Sequence, residues 1–161
     1  MDALKLEIIF IKNPWKWNKP LTYLSWIIRQ VTSKQNVIKE FVPNHAALKI
    51  TFPDGSVRVS DFQSHYKYRT YNLWISEDTN RIIVVKPFTS VLSSENILYL
   101  VENATSLYKG YEHKKLVNYL TLLKLNFKIF KDNPNRMVCF EWIGFLKGLD
   151  ENNYSLPKDL I

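Results

Sequence analysis

The sequence predicts an α+β fold in which a central antiparallel sheet packs against helices. Two patterns carry that expectation. The middle of the chain holds short apolar runs rich in β-branched side chains, and the turn residues Pro53-Asp54-Gly55 join two of these runs as neighbouring antiparallel strands. Beyond Pro87 the apolar spacing lengthens to three and four residues, the period of a helix. At 161 residues, 46% hydrophobic and 23% charged, the chain is long enough to enclose a core. A single domain over 1–161 is expected, with its core at about 5–148 and a peripheral C-terminal tail.

Leu6 to Ile11, with three isoleucines, reads as a first strand, and Pro14 to Pro20 as a loop. Leu24, Ile27, Ile28 and Val31 then fall at i, i+3, i+4, i+7, one apolar stripe of a helix that stops at the polar Ser33 to Asn36. Ala46 to Phe52 and Val57 to Phe62 form the hairpin, with His45 at its opening. Tyr66 to Ile75 and Arg81 to Val85 are expected as two further strands around a turn at Ser76 to Asn80.

Ile97, Leu100, Val101, Ala104 and Leu107 keep helical spacing after Ser93 or Ser94 as N-cap, and Gly110 is expected to close that helix. Leu116, Leu120 and Leu123 mark another helix. A basic, polar connection from Lys128 to Arg136 leads to the last one, where Cys139, Trp142, Ile143 and Leu146 repeat the i, i+3, i+4, i+7 pattern.

Composition narrows the function. Lys and Arg number 22 against 15 Asp and Glu, a net charge of +7, so the surface favours anionic partners in general. The positive residues are scattered, with no basic arm and no zinc-finger or RNA-recognition signature, and nucleic-acid binding is not expected. One cysteine excludes an intramolecular disulfide, and the histidine spacing supplies no metal ligand set, so neither metal nor cofactor is expected. The N-terminus lacks a signal-peptide pattern, and no segment approaches the roughly 18 apolar residues of a membrane span, which suggests a soluble cytoplasmic protein. Aromatic residues make up 14% of the chain, and Trp15 and Trp17 can pack, form a cleft lip or meet a membrane surface.

The chemistry-bearing candidates are Cys139 and His45. A cysteine in the first turn of a helix meets unpaired backbone N–H groups and the positive end of the helix dipole, which favour thiolate; on pattern alone it is more often a core filler than a catalyst. An imidazole at the start of a strand can face a neighbouring helix and take a proton from a thiol, though by default a histidine there is a surface or capping residue. His65 and His113 sit in more polar surroundings.

Four local motifs stand in a telling order: Leu24-Ser25-Trp26-Ile27-Ile28-Arg29, Asn44-His45-Ala46-Ala47-Leu48, Gly110-Tyr111-Glu112 and Cys139-Phe140-Glu141. In this order they resemble the circularly permuted branch of the papain-like NlpC superfamily, over roughly residues 5 to 148. The resemblance implies a permuted papain-like fold and a cysteine amidase, peptidase or acyltransferase. Cys139 would be nucleophile, His45 general base and then acid, and the Cys139 N–H part of the oxyanion site. A peptide, a cell-wall fragment or a lipid amide would be the substrate.

The sequence also departs from the family pattern. The residue that orients the histidine falls on Val59, which cannot accept a proton. Ser60 and Asp61 are the adjacent alternatives, and the hairpin register decides between them. Asp61 is preferred because a carboxylate both orients and stabilises an imidazolium. Phe140 replaces a small serine, and Glu112 an aspartate. Glu141 is assigned a structural role, since the helix dipole stabilises a first-turn glutamate. The alternative reading is a papain-like binding or assembly module without turnover.

Overall fold

The computed structural model describes residues 4–12, 41–62, 65–110, 114, 117, 118, 121, 128–133, 135–149 and 157–160. The architecture is α+β. Five strands, β1 (Lys5–Lys12), β2 (His45–Thr51), β3 (Val57–Phe62), β4 (Tyr66–Thr70) and β5 (Ile82–Pro87), form one sheet in the order β4-β3-β2-β1-β5. Every pairing is antiparallel. Among the described residues, helices α1 (Tyr71–Ser76), α2 (Ser94–Leu107) and α3 (Cys139–Lys147) accompany it. The expected helix around Leu24 to Val31 and the Trp15 and Trp17 loop lie outside the described residues, as do Leu116, Leu120 and Leu123.

Alternation along the strands gives the sheet two buried faces. Ile8, Phe10, Ala46, Leu48, Ile50 and Phe62 point to the side covered by α2 and α3, where Ile97, Val101, Trp142, Ile143 and Leu146 complete the larger core. Ile9, Ile11, Ala47 and Val59 point the other way and are sealed by Trp74 of α1. Because β1 and β2 are buried on both faces, they read as continuous apolar runs, which made them easy to place.

α2 begins where expected. Ser93 in extended conformation accepts the Asn96 N–H on its side chain at 3.2 Å, and Ile97, Val101 and Ala104 face the core. Its end differs: Tyr108 is the C-cap, its N–H bonding to the Ala104 carbonyl at 2.9 Å, while Gly110 lies two residues beyond. Leu107 is 42% exposed, so the apolar stripe ends one turn early. The expected strand Tyr66 to Ile75 is also corrected, because it stops at Thr70 and the chain turns directly into α1. The C-terminal tail is less peripheral than expected: the 3-10 turn Pro157–Leu160 packs on α3, and Leu160 is buried in the larger core.

Candidate functional site

The hairpin register places the histidine and its partner. Ala47 stands opposite Asp61, so His45, two residues before Ala47 on the same face, is the diagonal neighbour of Asp61 across β2 and β3. His45 Nε2 meets Asp61 Oδ1 at 2.5 Å. Ser60 points to the opposite face, where its hydroxyl accepts the Trp142 indole N–H at 2.9 Å and bonds the Tyr66 hydroxyl at 2.9 Å. Val59, opposite Lys49, shares the Asp61 face but lies one further pair from His45. Of the three residues weighed from sequence, only Asp61 meets the imidazole.

Cys139 opens α3 at the same end of the sheet. The preceding segment is fastened to the chain after α2, with Lys109 N–H bonding to Asn135 O at 2.7 Å and Met137 N–H to Gly110 O at 3.3 Å. Val138 is the N-cap, in extended conformation, and Glu141 turns its carboxylate back to accept the Val138 N–H at 3.1 Å. The buried Glu141 thus acts as a cap, the structural role its position suggested. Side-chain hydrogen bonding links His45 and Cys139. Since Nε2 is committed to Asp61, Nδ1 is the ring nitrogen left to exchange a proton with the thiol.

Electrostatics follow from burial and pairing. Burial alone would push the His45 pKa down; the charges of Asp61 and Cys139, with hydrogen bonds to both, override it and raise the pKa to about 10. Burial would likewise push the Asp61 carboxyl up, but His45, the Trp74 N–H and the Arg81 charge hold it below the usual carboxylate range. Asp61 and Cys139 together favour the imidazolium form of His45. His45 is 5% exposed, and Cys139 and Asp61 are fully enclosed.

No known protein family, characterised protein or solved structure matches this chain. The site therefore rests on its own geometry. His65 is exposed just before β4, and His113, Tyr111 and Glu112 lie outside the described residues, as does the Leu24 to Arg29 motif. An open hollow of about 610 Å³, lined by Asp54, Arg58, Thr70 and Tyr71 among others, sits at the turn end of the hairpin, opposite the end that carries His45. Among the described residues no group of three or more His, Cys, Asp or Glu could hold a metal, and no helix is long and apolar enough to cross a membrane.

Sequence reasoning passed over Trp74. It donates its indole N–H to Asp61 Oδ2 at 2.7 Å, behind the oxygen that meets His45. A hint was present in the sequence, since a tryptophan in a run read as a strand brings an N–H that needs a partner once buried.

Proposed function

We propose that this protein is a papain-like cysteine hydrolase or acyltransferase of permuted chain order. The juxtaposition of Cys139, His45 and Asp61 across three separate elements carries the reading. A central antiparallel sheet with the histidine opening an inner strand, and a helix starting at the cysteine laid against it, is the arrangement that the NlpC-type resemblance implies.

The chemistry follows from the atoms. The Cys139 sulfur attacks the carbonyl carbon of an amide, ester or thioester, forming the S–C bond while the carbonyl π electrons move to oxygen. The Cys139 backbone N–H, in the first turn of α3, donates to that oxyanion. The His45 imidazolium gives its Nδ1 proton to the leaving nitrogen, oxygen or sulfur as the C–N, C–O or C–S bond breaks, then takes a proton from the water or acceptor alcohol that releases the acyl group. Asp61 keeps the ring oriented and compensates its charge throughout. Because Cys139 is enclosed, acylation requires a local opening over the pair. A peptide, cell-wall fragment or lipid amide is the proposed substrate class.

That enclosure also favours a second reading, a papain-like module that binds without turnover. Iodoacetamide separates the two. In the hydrolase reading, native Cys139 is alkylated readily at pH 6 to 7, below the ordinary thiol pKa of about 8.5, and His45→Ala slows the reaction by on the order of tenfold or more. Alkylation only on unfolding would leave the binding module in its place.

A further inference from the structure

We infer that Trp74 is a positioning residue of this site: its indole N–H locks the Asp61 carboxylate so that only one oxygen is presented to His45, and Arg81 braces the indole from behind. The inference rests on the cysteine-hydrolase reading for its purpose, but not for its geometry.

A carboxylate holding one partner can swing about its last torsion and exchange its oxygens, whereas one held at both oxygens is fixed in plane. Asp61 is held at both, by His45 on Oδ1 at 2.5 Å and by Trp74 Nε1 on Oδ2 at 2.7 Å. An indole nitrogen has no lone pair to offer, so Oδ2 has no acceptor for a proton there, and any proton sharing is confined to the His45 side. Arg81 fixes the indole in turn. Its guanidinium carbon lies 4.9 Å from the Trp74 ring centroid, and its Nη1 donates to the Trp74 carbonyl at 3.2 Å.

The architecture fits this use. α1 has six residues, and Trp74 alone among them is fully buried. Packing against Ile9, Ile11, Ala47 and Val59 would account for a large apolar ring, but not for the aim of its one polar atom at a buried carboxylate. The charged and titratable groups around Asp61 are His45 from β2, Lys67 and Arg69 from β4, Arg81 ahead of β5 and the Tyr66 phenol. Trp74 and Arg81 both favour the ionised carboxylate.

The test is the carboxyl ¹³C titration of Asp61 in the full chain, assigned by comparison with Asp61→Asn and followed over the pH range in which near-ultraviolet dichroism reports a folded protein. In Trp74→Phe, which keeps an aromatic ring and loses the N–H, the Asp61 midpoint should rise by about one unit, a tenfold weaker hold on the ionised form. A purely packing role would lower thermal stability and leave the midpoint in place, and that result overturns the assignment. Should Trp74→Phe fail to fold, Arg81→Lys decides, because it keeps the positive charge that itself favours the Asp61 carboxylate and loses the planar guanidinium over the indole: a raised midpoint supports the brace, and an unmoved one removes it. The hydrolase reading is judged separately by alkylation of wild-type Cys139. An inert thiol with a moving Asp61 midpoint sinks that reading alone, and a reactive thiol with a fixed midpoint sinks this one alone.

Discussion

At His45 two opposed tendencies meet, since burial disfavours the charged ring while a carboxylate on one side and a thiol on the other demand it. The pairing wins, and that outcome has a pH signature. The His45 pKa is raised from 6.5 to about 10, so its contribution to stability is full below about pH 6.5 and is lost as pH climbs towards 10. The Asp61 pKa is lowered, so its contribution is present above about pH 4 and disappears as pH falls through its depressed folded value. Urea unfolding should therefore find maximal stability between about pH 5 and 6.5, with an alkaline decline of a few kcal/mol between pH 6.5 and 10. His45→Gln should flatten that alkaline limb; an unchanged slope would mean that the ring is not held as imidazolium. Asp61 itself was only half legible, because Ser60 and Asp61 differ by one position in a period of two, and the choice waited on which residue stands opposite Ala47.

Among the elements, α3 bears the most chemical weight and is tied down at both ends. Glu141 caps its start, and Gly148 closes it in the left-handed conformation at φ +90°, with Gly148 N–H on Phe145 O and Leu149 N–H on Gly144 O, both at 2.9 Å. A β-carbon at Gly148 would also run into the Val91 side chain. Gly148→Ala should accordingly cost about 1–2 kcal/mol or more, read as a lower urea midpoint at unchanged m-value. An unaffected midpoint would show that the C-cap contributes nothing. Helix α3 was legible because nine residues complete an apolar stripe; α1 was not, because six residues give too few turns for a period to show, and the run Tyr66-Lys67-Tyr68-Arg69-Thr70 before it alternates as a strand does.

Across the whole molecule, the sheet separates two cores and the site lies at their shared end: Asp61 and Trp74 belong to the α1 face, Cys139 to the α3 face, and His45 meets both Asp61 and Cys139 from the first position of β2. The tail adds to the α3 side, with Leu160 1% exposed and Lys147 Nζ donating to the Asp159 carbonyl at 2.9 Å. Leu160→Ala should lower stability by about 2–4 kcal/mol in chemical denaturation, whereas a change near zero would return the tail to the periphery. By itself the sequence determined that β1, β2, β3 and β5 would be strands and α2 and α3 helices, that His45 opens a strand and that Cys139 opens a helix, because periodicity and turn chemistry act over a few neighbouring residues. Tertiary structure alone decided that the two side chains meet, that Asp61 rather than Ser60 or Val59 stands behind the imidazole, and that Trp74 stands behind Asp61. Those contacts depend on strand register and on helix placement across a sheet, and both are fixed only when distant segments bury their apolar faces together.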